Sequence, residues 1–227
     1  MNFKIRNVIT AKWMLFTILG DVIGAYLGAK AGEQFGFSLG VSIESFLQSV
    51  TGSFLSGYLP GMTAGFIYGS VIGFSIGFVQ WLIVLRNQYA GAGIWVLLNA
   101  FGFALAICLN SGVIAYLTSI VSQPLLLYLI FTSICGPLTG FIIGLLNWSF
   151  FRHKHIKAIW WIVLNVIGWI LINFVILLGV LLDVGMNPVV ELAFNVIDSI
   201  VIAIFTGIAF YITFSGAVPE TKSNVLV

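Results

Sequence analysis

Charge is what this sequence has least of. Asp, Glu, Lys and Arg together make up 7% of its 227 residues, whereas a soluble globular chain carries roughly 25%. That scarcity excludes a water-exposed surface over most of the molecule. The formal net charge is only +2, and no basic cluster is interleaved with aromatics outside the helix ends, so no nucleic-acid partner is expected. Histidine occurs twice, as His153 and His155 in one short basic stretch. Two histidines two positions apart with no neighbouring carboxylate make a poor metal site; they read as a solvated edge facing anionic headgroups. There is no His-Glu-x-x-His pattern and no convincing nucleophile–base pair. No catalytic residue, metal or cofactor is therefore assigned, and the chain is not expected to be an enzyme. Cysteine is limited to Cys108 and Cys135, both inside apolar runs, where they read as packing residues rather than a disulfide.

What the chain does have is apolar length. The hydrophobic fraction is 60% and the mean hydropathy is +1.14. Gly at 25 residues and Phe at 20 suit helices packed in lipid, where small residues let backbones approach. Crossing a hydrocarbon core of roughly 30 Å takes about 20 residues. Runs of that length occur at 13–32, 61–85, 93–118, 124–150, 158–182 and 189–214. Short connections force sequential spans to lie antiparallel. The expected fold is all-α: a single polytopic transmembrane helical bundle of about six helices in three hairpins. The basic start, apolar stretch and Ala-Lys-Ala at 29–31 resemble a secretory signal, but Asp21 interrupts the apolar region, and an uncleaved first helix is expected. In 41–58, Ile43, Phe46, Leu47, Val50, Phe54 and Tyr58 recur at three- and four-residue intervals among polar residues. That periodicity predicts an amphipathic helix in the outer interface.

Cations give the orientation. Lys4, Arg6, Lys12, Arg86, Arg152, Lys154, Lys157 and Lys222 fall on one side of the six-span arrangement, and only Lys30 falls near the other. This bias predicts both termini in the cytoplasm. Trp13, Trp81, Trp95, Trp148, Trp160 and Trp161 lie at the same predicted inner ends, where indoles are expected to reach headgroups.

The chain also repeats itself. Trp95-Val-Leu-Leu-Asn99-Ala-Phe-Gly102 matches Trp161-Ile-Val-Leu-Asn165-Val-Ile-Gly168, and Trp13-Met-Leu-Phe-Thr17-Ile-Leu-Gly20 keeps the frame. Gly69, Gly73, Gly77 and Gln80-Trp81 match Gly136, Gly140, Gly144 and Asn147-Trp148. Each motif puts an amide or hydroxyl and a glycine on one helical face. Amides in hydrocarbon need partners, so Gln80, Asn99, Asn147, Asn165 and Thr17 are expected to face inward and bond across helices. Gly61, Gly65, Gly69, Gly73 and Gly77 are spaced four apart, as are Gly20 to Gly40. Such stripes leave grooves for close packing within the chain or between copies of it.

Charged residues at depth are the best functional candidates. Asp21 lies about 12 Å of helix rise from the inner end of the first span. Glu191, Asn195 and Asp198 share one face of the last. A carboxylate in hydrocarbon is either neutral or beside a wet cavity. These residues read as a cation or proton path opening outward, or as a structural pairing of Asp198 with an interior amide such as Asn173 or Asn110.

The stretch Gly-Phe-Ser-Ile-Gly-Phe-Val-Gln-Trp-Leu-Ile-Val-Leu-Arg at 73–86, followed by Gly-Ile-Trp-Val-Leu-Leu-Asn-Ala-Phe-Gly at 93–102, resembles a pattern in small multispanning proteins of cyanobacteria and some other bacteria. The second hairpin departs from it by Asn147 and by its His/Lys-rich loop. The resemblance implies a bacterial inner-membrane location and no particular chemistry. The leading expectation is a membrane-embedded structural or accessory protein, in contact with lipids and with membrane-protein partners or further copies of itself. A small transporter or channel using Asp198, Asn195, Glu191 and Asp21 stands second.

Overall fold

The computed structural model describes residues 3–51, 57–86, 91–153, 155–182 and 188–215, and every regular element among them is helical. The helices are α1 (Phe3–Ala31), α2 (Phe37–Thr51), α3 (Leu59–Gln80), α4 (Ile94–Ile120), α5 (Pro124–Phe151), α6 (Trp160–Leu181) and α7 (Pro188–Phe214). Together they give six stretches long and apolar enough to cross a membrane. Helix starts follow local chemistry. Pro60 and Pro124 sit in the first turns of α3 and α5, where a missing N–H leaves no bond unmade. Val121 and Gln123 are extended, which separates α4 from α5. Gly57, at φ 88°, takes a backbone region that side chains disfavour, and its N–H donates to the Glu44 carboxylate.

The helices form a closed ring in chain order. α1 packs on α3, α3 on α4, α4 on α5, α5 on α6, α6 on α7, and α7 returns to α1. Arg6 on α1 donates to the Tyr211 hydroxyl on α7 at 2.6 Å, so the start of the first helix and the end of the last meet at one end of the ring, here termed basal. Outward positions are large and apolar, including Leu19, Ile23, Phe74, Phe101 and Phe141. Inward positions include Thr17, Asp21, Gln80, Asn99, Thr139, Asn147, Asn165 and Thr206, all buried. Apolar outside and polar inside is the arrangement lipid imposes as a solvent.

Glycine seams bring the helices together. A methyl group at Gly73 would collide with the Asn99 carbonyl, and one at Gly69 with that of Phe103. On the next pair, Gly140 would meet the Asn165 carbonyl at 2.6 Å and Gly144 the Ile162 Cα at 2.7 Å. Gly65 abuts Ser111, a methyl group at Gly77 would come within 3.0 Å of the Val96 Cα, and one at Gly136 within 3.1 Å of the Asn173 amide nitrogen. Gly61, placed in the same stripe by sequence, meets nothing within 4 Å. The α1 stripe runs along α3, from Gly20 on Ile76 through Gly24 on Ile72 and Gly28 on Tyr68 to Gly32 on Ala64.

That stripe does not stop where the first span is expected to end. Gly32–Gly36 form one π-helical turn, and α2 follows without a break. Gly32 and Gly36 both abut Ala64, and Gly40 abuts Pro60. The wider turn thus absorbs a slip in register while the seam continues. Residues 41–51 are accordingly the continuation of the first helix, and residues 52–56 of the expected amphipathic segment lie outside the described residues. With a rise of about 1.5 Å per residue, α1 and α2 together reach about 70 Å.

Candidate functional site

At the basal end three tryptophans meet. Trp13 of α1, Trp95 of α4 and Trp161 of α6 come from alternate helices of the ring, and their ring centroids lie 5.6, 5.7 and 5.6 Å apart in edge-to-face contacts. Phe210 stacks on Trp13 at 4.7 Å and Phe151 on Trp161 at 5.3 Å. All three indoles are fully buried. The expectation that they reach headgroups is therefore corrected for these three: inward positions on alternate helices bring them together within the ring. Trp160, by contrast, is exposed, and Trp148 lies under the Arg152 guanidinium at 5.1 Å.

Next comes a polar belt. Trp95 Nε1 donates to Gln80 Oε1 at 2.9 Å, and Gln80 Nε2 donates to Thr17 Oγ1 at 2.8 Å. Thr17 in turn donates to the Trp13 carbonyl. Gln80 thus bonds across three helices. Asn99 and Asn165 instead direct their amide nitrogens to the carbonyls of Trp95 and Trp161 on their own helices, and Asn147 Oδ1 is buried without a partner. The belt encloses about 10 Å³, at the lower limit for a single water. Tryptophans and belt together close the ring axis at this end.

Beyond the belt the axis opens into a cavity of about 300 Å³. All six membrane-length helices line it. Asp21 comes from α1, Tyr68 and Ile72 from α3, Asn110 and Ser111 from α4, and Phe131 from α5. Trp169 and Asn173 come from α6, with Asn195, Asp198 and Ile202 from α7. Ile114 and Ile176 extend the lining toward the ends of α4 and α6 away from the tryptophans. Most of the wall is Ile, Phe and Trp. Among the described residues, its ionisable groups apart from Tyr68 are the two aspartates, and no Lys, Arg or His lines it.

Asp21 and Asp198, far apart in sequence, thus share one chamber. Ser199 Oγ lies 2.8 Å from Asp21 Oδ2 and 2.7 Å from the Asn195 carbonyl; its one proton serves one of these acceptors at a time. Asp198 Oδ1 is buried with no hydrogen-bond partner. Neither amide expected as its mate donates to that oxygen. Asn110 Nδ2 donates to Thr139 at 2.8 Å, and Asn173 Nδ2 to the Trp169 carbonyl at 2.9 Å. Asn110 Oδ1 is also buried and unpartnered. The side chain of Glu191 lies outside the described residues. Ser199 has no sequence signal beyond its place next to Asp198. Tyr68 and Trp169 look like ordinary apolar-helix aromatics until the ring places them on the cavity.

Among the described residues no group of three or more His, Cys, Asp or Glu could hold a metal ion. Comparison with protein-family models, with curated proteins and with solved structures gives no match.

Proposed function

We propose that this chain is a small membrane transporter for a cationic solute, with the central cavity as its binding site and the tryptophan layer as its closed end. The observation that carries this reading is the meeting of Asp21 and Asp198 in one cavity, with no basic residue among the described residues that line it. Two carboxyl groups in an apolar chamber are costly unless they are neutral, hydrated or matched by a positive guest. A protein needing only a packed core would gain from replacing them with apolar side chains. The structural reading leads on sequence alone; the cavity moves transport ahead of it.

The basal end is proposed to face the cytoplasm, since Arg6, Lys12, Arg86, Arg152 and Lys157 belong to the helix ends and connections there and cations favour that side. In the bacterial inner membrane, suggested by the family resemblance, the cavity then lies toward the outside. The recurrence of Trp13, Trp95 and Trp161 about one axis supports three hairpins built on one repeated plan. Reconstitution into liposomes tests the proposal. A cation flux present in the wild type and lost in Asp198→Asn, with both proteins equally inserted, supports it; equal flux in both rules out this site.

A specific observation favours the accessory-subunit reading as second. Phe35, Phe37 and Phe46 are all more than half exposed on the long first helix, an apolar surface fit for lipid or a membrane-protein partner. Gentle native purification that returns a defined heteromeric complex would support that reading.

A further inference from the structure

The guest's chemistry can be narrowed from the cavity's hydrogen-bond balance; this step rests on the cation reading above. The unmet groups on the cavity residues are acceptors: Asp198 Oδ1 and Asn110 Oδ1 are both buried without a partner. Two amide donors on the cavity's lining residues are already engaged, Asn110 Nδ2 by Thr139 and Asn173 Nδ2 by the Trp169 carbonyl. Both oxygens are covered in this conformation. An acceptor left unmet in a low-dielectric interior is destabilising, so a guest that brings donors is the complementary one once side-chain rotation turns these oxygens toward it. A quaternary ammonium brings charge but no N–H. A bare alkali cation brings charge and seeks a shell of several oxygens, whereas most of this wall is hydrocarbon. A water molecule brings donors but neither a counter-charge nor an apolar body.

The apolar wall supplies the other half of the recognition. Trp169 and Phe103 meet edge to face at 6.1 Å, and both line the cavity with Phe131 and several isoleucines. An engineered apolar cavity of about 150 Å³ suffices for benzene; at about 300 Å³ this one has room for a ring, a short arm and an ammonium group. Aromatic faces also attract cations directly. From these features we infer that the cavity binds a protonated amine bearing N–H donors and a compact apolar or aromatic body, its ammonium group held by Asp198 with Asn110 as a second acceptor.

The test is a ranking on the wild-type protein in lipid nanodiscs, measured by equilibrium dialysis. The probes are phenethylammonium, benzyltrimethylammonium (which has no N–H), phenethyl alcohol (which has no charge) and potassium. Phenethylammonium is expected to bind most tightly, to be indifferent to potassium, and to lose roughly ten- to a hundredfold in affinity in Asp198→Asn, as for loss of a charged hydrogen bond. Because the ranking uses the wild type, it stands even if that variant fails to fold. Benzyltrimethylammonium binding as tightly, or potassium binding in preference, overturns the amine inference while leaving the cation reading intact. Phenethyl alcohol binding equally well, or no probe binding at all, overturns both.

Discussion

Ser199 Oγ on α7 lies 2.8 Å from the carboxyl group of Asp21 on α1, joining residues 178 positions apart. The contact sits where the last helix closes the ring onto the first, so a functional group and the closure of the fold are tied together. Ser199→Ala deprives the buried Asp21 of that partner. We expect a stability loss of about 1–3 kcal/mol, read as a lower unfolding temperature in detergent. No loss would mean that water replaces the hydroxyl.

The tryptophan layer separates two kinds of indole. Trp13 Nε1 is buried without a partner, whereas Trp95 Nε1 donates to Gln80. Trp13→Phe should therefore cost little beyond the change in shape. Trp95→Phe leaves Gln80 Oε1 unmet and should cost about 1–3 kcal/mol more. Parallel thermal unfolding of the two variants decides it, and equal losses would place the importance of Trp95 in packing alone.

Glycine positions separate as sharply. Gly73 and Gly140 face backbone of the neighbouring helix, while Gly61 faces open space. Gly73→Val or Gly140→Val should cost about 1–3 kcal/mol or prevent assembly, as overpacking does, and Gly61→Ala should be neutral. Similar losses at Gly61 would indicate a contact from outside the chain.

Orientation is tested by labelling. In a Cys108→Ser, Cys135→Ser background, a membrane-impermeant maleimide applied to intact cells should modify Ser119→Cys and spare Arg152→Cys. The reverse pattern would invert the proposed topology.

The six membrane-length helices were readable because lipid makes a simple demand, long apolar runs with short links, and the chain answers it plainly. Within those runs the inward face was partly readable: Gln80, Asn99, Asn147 and Asn165 are all buried, as polar residues in hydrocarbon should be. Their partners were not readable. Whether an amide bonds across the ring like Gln80 or back along its own helix like Asn99 depends on sub-ångström placement that composition does not encode. The length of the first helix is not legible in the sequence for a related reason. Serines and Glu44 from residue 42 suggest a separate amphipathic element, but the seam of Gly32, Gly36 and Gly40 along Ala64 and Pro60 carries the helix on. Asp21 and Asp198 could be singled out individually as charges at depth. Their meeting depends on α7 returning to α1, a closure that no pairwise sequence pattern reports.

The central claim is that these two acids serve one guest in one chamber. Its most direct test is a double-mutant cycle on cation flux in liposomes, comparing the wild type with Asp21→Asn, Asp198→Asn and the double variant, each normalised to the amount inserted. The account predicts strong coupling, with each single change abolishing most of the flux and the double variant little worse than either. Losses that multiply independently, or flux that survives both changes, would contradict it.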